Sequence, residues 1–371
     1  MVHMGVKATH EGRLPYSGSD GRLALVGARS IEKDYVSDAK YSTQVTTFAQ
    51  APCIETLPEV IDIASVVPLN PPEAIQMKFV GLSYESAYAE AETFVKVADE
   101  FAAKHGRGGF ASFDRIVDFG SGWGRITRTL LEKVPATKVH ALDVDSQMTA
   151  LVNTTLPGVN ALTISPEPPT ILGEASVDAL VAFSVFSHLS GPAHAAWAHE
   201  IGRVVAPGGF VAVTVLDQAF FGQIAGAQSA VKAGVGDSFA ESLAKTFGDL
   251  DAAQAGYNAG EIQYAPSGGG EVRTGDYYGW AAAPSKYVER VWGAAGFRVV
   301  EWVPSGVLFP QALVCMVRQP DGGAVGATAT VRATAAKRNL VNRIKQIISK
   351  RSGVSGRSDI DEGSARTGLV E

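Results

Sequence analysis

The chain of 371 residues is 46% hydrophobic and 19% charged, with a formal net charge of −6. That length and apolar content allow a sizeable core, in one elaborated domain or two, while the acidic balance argues against nucleic acid as a partner. The only cysteines, Cys53 and Cys315, have no disulfide-framework or zinc spacing, so both read as small packed hydrophobes in a reduced, cytoplasmic setting, with no metal.

The first 22 residues lack the apolar core of a signal peptide, and the longest apolar stretch, around 177–187, is too short to span a bilayer. Residues 1–71 are rich in turn formers and read as an N-terminal extension. From 72 to 104 the periodicity predicts a helix, with Ala87, Ala91, Phe94, Val95, Val97 and Ala98 on one stripe. An alternation follows: strand 115–119, helix 123–133, strand 138–143, helix 146–154 and strand 161–164. It continues with strand 177–183, helix 192–205, a turn at "APGG" and strand 210–216. Buried apolar strands separated by helices predict a parallel sheet covered on both faces.

Residues 217–283 break the rhythm. They read as an inserted cap with one helix, 238–248, covering one edge of the sheet. Helix 284–295 and strands 297–303 and 311–318 then complete a domain made of 72–216 and 284–320. Residues 321–371 read as a loosely ordered tail.

The chemistry concentrates in "RIVDFGSGWGRITR". A loop at the carboxyl end of the first strand of an open α/β sheet is where such folds hold nucleotide-like ligands. Gly120, Gly122 and Gly124 let the backbone bend and approach a ligand closely, and the amides opening the next helix carry partial positive charge. The spacing is GxGxG rather than the GxGxxG of dinucleotide sites, with Arg125 at the sixth position. Asp118, immediately before the loop, suits an ammonium or sulfonium better than a pyrophosphate.

"VDFGSGWGRITR" resembles the first motif of class I S-adenosylmethionine-dependent methyltransferases. "VHALDVDSQM", "VDALVAFSVFSHLS" and "RVVAPGGFVAVTV" resemble later landmarks of that family, in the right order. The resemblance spans roughly residues 80–216 and 284–318 and implies a Rossmann-like, seven-stranded, mostly parallel α/β sheet. It implies S-adenosylmethionine as cofactor, with Asp118, Gly120, Ser121, Gly122, Trp123 and Gly124 on its methionine and loop side. Asp143, 19 residues after Gly124, takes the position of the acid that binds both ribose hydroxyls, with Val144 beside it, while Asp145 reads as the N-cap of the next helix. Phe183 and Ser184 flank the cofactor after the fourth strand. For the adenine amino group, Ser165 and Glu167 both stand open.

His188, just past the fourth strand, is the candidate general base if the acceptor must lose a proton. An alternative role, capping the strand or packing beside the adenine, stands equally. His194 and Trp197 share a helical face that could line an acceptor pocket, with packing the stronger reading for Trp197. Tyr277, Tyr278 and Trp280 read as a mobile aromatic lid. "FSVF" stands where methyltransferases of nucleic-acid amino groups carry an Asn/Asp-Pro-Pro-aromatic tetrad, and Asp217 alone does not make a metal site. The segments "FSVFSHLSGPAHAAWAHEIGRVVAPGG" and "YYGWAAAPSKYVERVWGAAGF" are similar to bacterial methyltransferases of cell-surface glycan assembly. That similarity implies a small-molecule or glycan acceptor, methylated on a hydroxyl oxygen.

Residues 331–357 hold eight Lys/Arg and no Asp/Glu, and Leu340, Val341, Ile344, Ile347 and Ile348 fall at helical spacing. This reads as a basic amphipathic helix, either lying on an anionic membrane or a partner, or packing back on its own domain. A non-catalytic sensor that binds S-adenosylmethionine and uses this tail for interaction is the competing reading of the whole chain.

Overall fold

The computed structural model describes residues 70–270 and 272–320. The N-terminal extension up to residue 69, Cys53, and the tail with the basic helix expected within it lie outside the described residues.

The helix predicted over 72–104 is two helices, α1 (Glu73–Val80) and α2 (Tyr84–His105). Gly81 ends α1 at φ 73°, in the left-handed region, and its N–H bonds back to the Met77 carbonyl. The predicted stripe is buried along α2, from Ala87 to Ala98, and Phe101 extends it. Each buried phenylalanine there contributes roughly 1.5–3 kcal/mol relative to exposure.

The alternation of buried runs and helices folds as follows. Strand β1 (Ile116–Phe119) leads through a glycine loop to α3 (Arg125–Leu130), then β2 (Val139–Asp143), α4 (Ser146–Thr155) and β3 (Asn160–Thr163). Then come β4 (Val177–Ala182), α5 (Gly191–Val204) and β5 (Val205–Val215). The expected "APGG" turn is absorbed into β5, whose pairing with β4 is irregular between Val177 and Ala179.

Three further helices follow, α6 (Ala219–Lys232), α7 (Ser238–Ala244) and α8 (Leu250–Ala259). A two-stranded hairpin of β6 (Gln263–Pro266) and β7 (Gly279–Ala282) comes next. The chain returns through α9 (Ser285–Ala294), β8 (Phe297–Val303) and β9 (Ala312–Arg318).

The main sheet has seven strands in the order β3-β2-β1-β4-β5-β9-β8. Strands β1 to β5 pair in parallel, and β9 runs antiparallel to both β5 and β8. Alternate strand residues feed two cores. Val117, Leu180 and Val211 pack with Trp197, Ile201 and Trp292 of α5 and α9, whereas Ile116, Ala179 and Phe210 pack with Phe94 and Phe101 of α2. This is the expected mostly parallel sheet with helices on both faces.

The inserted segment differs from expectation in content and place. It holds three helices where one was predicted, with its own core of Phe220, Phe221, Ile224, Leu243 and Tyr257. Its strand β7 docks away from the edge strands β3 and β8. The Gly279 and Ala281 N–H groups donate to the carbonyls of His188 and Ser187, and Ala283 N–H donates to Leu216. These contacts set β7 over the carboxyl ends of β4 and β5, near the middle of the sheet.

Candidate functional site

The loop after β1 is held by β2. The Gly120 and Ser121 N–H groups both donate to the Leu142 carbonyl, at 2.7 and 3.0 Å. Gly120 has φ 73°, and a Cβ there would come within 2.3 Å of Val185 Cγ2, so this glycine joins the β1 loop to the loop after β4. Gly122 differs: at φ 51° a Cβ would meet nothing within 4 Å, which leaves open space beside the backbone. Ser121 Oγ is buried without a hydrogen-bond partner among the described residues.

Two carboxyl groups flank this loop. Asp143 ends β2; its Oδ2 accepts the Gly122 N–H at 2.7 Å and its Oδ1 accepts the Asp145 N–H at 2.8 Å. Burial raises its pKa, opposed by those bonds and by Arg273. Asp118 is fully buried at the end of β1, where burial raises its pKa to about 7 against the hydrogen bond from Thr127 Oγ1 at 2.5 Å. Asp145 caps α4, accepting the Gln147 N–H at 3.0 Å. Val144 is half-buried beside this pair, and Ser165 and Glu167 are exposed after β3, with Ser165 Oγ accepting the Glu167 N–H at 3.2 Å.

Trp123 turns its indole into a small core with Ala87 and Met148, edge-on to Tyr88 at 5.8 Å. Phe183 packs on Phe94 and Phe309, with the Arg125 guanidinium 4.8 Å from its ring centroid.

Beyond β4, Ser184 holds φ 59°, rare for a non-glycine residue, and its N–H donates to Thr214 Oγ1 at 2.7 Å. Its Oγ accepts Gln311 Nε2–H at 2.9 Å and lies 3.5 Å from His188 Nε2. Because a carbonyl only accepts, the 2.7 Å contact between His188 Nδ1 and the Gly279 carbonyl puts the ring proton on Nδ1. The lone pair is therefore on Nε2. Burial pulls the His188 pKa down to about 4, opposed by the Gly279 bond, with Arg273 lowering it further. The imidazole is neutral at pH 7.

Tyr278 stacks on His188 and Trp280 tilts against it at 5.0 Å, while Tyr277 donates its hydroxyl to the Val272 carbonyl at 2.5 Å. Two aromatic residues of the cap thus sit against the candidate base, with Tyr277 edge-on to Tyr278 behind them. His194 does not join them. It is fully buried, accepts Trp292 Nε1–H at 3.0 Å on its Nε2, and lies against Phe186 and Tyr287. The face it shares with Trp197 is packed in the core, not turned to an acceptor pocket.

The sequence reading missed Gln311, in the loop before β9, and Arg273, at the tip of the β6–β7 hairpin. Arg273 Nη2 is 3.4 Å from Asp145 Oδ2, and Nη1 is 4.0 Å from Asp143 Oδ1. One signal could have found it: Arg273 is the only Lys or Arg between Lys245 and Lys286. Asp217, the isolated acid at this mouth, accepts from the Ser305 N–H and hydroxyl and the Ala219 N–H, which is a structural role. Among the described residues no group of three or more His, Cys, Asp or Glu could hold a metal ion, and no helix is long and apolar enough to cross a membrane.

A seven-stranded sheet of this order, with a glycine loop after β1 and an acid ending β2, is the Rossmann-like fold of class I methyltransferases. Residues 116–209 match the family described as a methyltransferase domain. Over 137 residues the chain is 33% identical to a trans-aconitate 2-methyltransferase of Methylobacterium nodulans, covering 34% of this chain and 50% of that protein. The chain thus spans about half the length of this curated relative. A S-adenosylmethionine-dependent methyltransferase from Clostridium acetobutylicum aligns over 67% of this chain and 97% of its own, at 12% identity and TM-score 0.42. DesVI of Streptomyces venezuelae aligns over 67% of this chain and 100% of its own, at 14% identity and TM-score 0.41.

The group this fold implies is S-adenosylmethionine, and the residues present fit it. A buried, unpartnered Ser121 hydroxyl, the open side of Gly122 and a carboxylate already fixed by two backbone N–H groups make a polar cradle of the right chemistry.

Proposed function

We propose that the chain is an S-adenosylmethionine-dependent methyltransferase acting on a hydroxyl oxygen of a small-molecule or glycan acceptor. The observation that carries this reading is the junction at Gly120 and Val185, which puts the cradle of the β1 loop against the loop that bears His188. Asp143 takes the ribose hydroxyls, and the loop of residues 120–124, with Asp118 buried beneath it, forms the methionine side of the site. Ser184 and Phe183 flank the cofactor, and Ser165 or Glu167 serves the adenine.

When bound, S-adenosylmethionine supplies an electrophilic methyl group on a sulfonium. Holding the acceptor oxygen in line with that methyl contributes on the order of 7–11 kcal/mol. Transfer of that methyl to the acceptor oxygen would break its bond to sulfur and release S-adenosylhomocysteine, and His188 Nε2 would take the hydroxyl proton, which alkylation of the oxygen makes strongly acidic. The base need not be strong, because an alkylated oxygen gives up its proton readily. The Nδ1–H bond to Gly279 supports the imidazolium that results. Trp280 of β7, packed against the same ring, keeps water from this step.

A second reading is favoured by the relative named for trans-aconitate and by the low basicity of His188. A carboxylate acceptor is already deprotonated and needs no base. Incubation with S-adenosylmethionine and a panel of sugars, nucleotide sugars, polyols and tricarboxylates, read as S-adenosylhomocysteine release, separates the two. Hydroxyl acceptors that fail with His188→Ala support the first reading. Tricarboxylates that turn over equally well in His188→Ala support the second. Peripheral membrane or protein contact through residues 331–357 remains part of the proposal, tested by flotation with anionic vesicles with and without residues 331–371. Equal recovery of the two forms would remove it.

A further inference from the structure

The tip of the β6–β7 hairpin reaches the cradle through one side chain. Gly269 N–H donates to the Arg273 carbonyl at 2.7 Å and Arg273 Nε–H donates to the Gly269 carbonyl at 3.0 Å, so the turn itself orients the guanidinium. Gly268 N–H donates to the Tyr278 carbonyl at 2.9 Å, closing the hairpin. The guanidinium lies 5.1 Å from the Phe79 ring centroid of α1 and 5.9 Å from that of Tyr278, and its outer nitrogens face Asp143 and Asp145. Only 14% of the Arg273 side chain is exposed.

The guanidinium and the proposed occupant call on the same carboxylates. Both Asp143 oxygens already accept a backbone N–H, so a ribose diol must use the remaining outward lone pairs. One guanidinium nitrogen stands 4.0 Å from Asp143 Oδ1 and the other 3.4 Å from Asp145 Oδ2, so the guanidinium already faces the carboxylates that such a diol would use. The same hairpin carries Tyr278, which covers His188. Displacing the tip therefore also uncovers the candidate base, and removing the guanidinium's charge from its surroundings makes that base stronger.

We infer that Arg273 is a latch: its guanidinium competes with the ribose diol of the cofactor for Asp143 and Asp145, so that cofactor entry lifts the hairpin tip and opens the acceptor side. The inference rests on the cofactor assignment above and adds an order to it, cofactor before acceptor. A latch closed about nine-tenths of the time weakens apparent affinity about tenfold, because only the open fraction binds.

The test is calorimetric titration of S-adenosylhomocysteine into the full chain and into Arg273→Ala and Arg273→Gln, with hydrogen exchange of residues 267–278 followed in parallel. Two variants, each checked by thermal midpoint, guard against a folding defect in one. The latch predicts about tenfold tighter binding in both variants, and faster exchange of the wild-type tip when ligand is added. Equal or weaker binding in the variants, or slower exchange of the wild-type tip with ligand, overturns the latch while wild-type binding leaves the cofactor assignment standing. Absence of binding in the wild type and both variants overturns both.

Discussion

Tyr278 lies almost flat against His188, with ring centroids 4.9 Å apart and planes 15° apart. The stack fixes the imidazole from the cap side, while its Nδ1–H bond to Gly279 fixes it from β7. A ring held in this way presents one lone pair in one direction, as a positioned base requires. With its pKa lowered to about 4, the base form persists at all pH values above that. In the ligand-free chain the His188 ring should therefore show no ionisation between about pH 5.5 and 8 when followed by NMR, and for a hydroxyl acceptor His188→Ala should lower turnover by about 10²–10⁴. A His188 titration near pH 6.5 in the ligand-free chain would contradict the neutral imidazole.

Asp118 gives stability a pH dependence of its own. Its folded pKa is raised from 3.8 to about 7, so between those values the folded carboxyl holds a proton that the unfolded one has lost. Unfolding then releases a proton, and this contribution to stability is lost as pH rises from about 4 to 7. At about 1.4 kcal/mol per pKa unit, Asp118→Asn should be more stable than wild type at pH 8 by an amount on the order of a few kcal/mol, with little difference at pH 4. Urea unfolding of both forms at the two pH values measures it. His194 has the opposite sign: its pKa falls to about 3, so unfolding takes up a proton below about pH 6.5 and stability drops as pH falls.

The two glycines of the β1 loop should separate folding from binding. At Gly120 an added Cβ meets Val185 at 2.3 Å on top of a left-handed φ, whereas at Gly122 it meets open space. Gly120→Ala should cost more than about 2 kcal/mol through combined clash and strain, and Gly122→Ala about 1–2 kcal/mol from backbone strain alone. Only Gly122→Ala should keep a cooperative, near-native thermal transition while losing affinity for S-adenosylhomocysteine. Thermal melts and titrations of the two variants check both halves.

Much of this architecture was legible in the sequence because fully buried parallel strands read as uninterrupted apolar runs, as in "VDALVAF" and "FVAVTV". The α1–α2 break was not, since Gly81 sits in a segment whose helical composition continues on both sides. The cap helices α6 and α8 were hidden by Ala-, Gly- and Gln-rich composition, although Phe220, Phe221 and Ile224 bury one face of α6. The site was half legible. Motif residues near one another in sequence could be read, but Gln311 meets Ser184 across 127 positions and Arg273 meets Asp145 across 128. His194 was misassigned for the same reason, because its partner Trp292 is 98 residues away.

That partner yields a prediction. Trp292→Phe keeps most of the packing but leaves His194 Nε2 buried without a donor, which should cost about 1–3 kcal/mol. Acceptor KM should not move, because neither ring faces the cradle. Denaturant unfolding together with steady-state kinetics tests it, and an altered KM at unchanged stability would return His194 to the acceptor side.

The most direct measurement is calorimetric titration of S-adenosylmethionine, S-adenosylhomocysteine and NAD into the wild type and Asp143→Asn. The account predicts micromolar binding of the two sulfur ligands, lost or strongly weakened in the variant, and no binding of NAD. Binding of NAD alone, or sulfur-ligand binding that ignores Asp143, would contradict it.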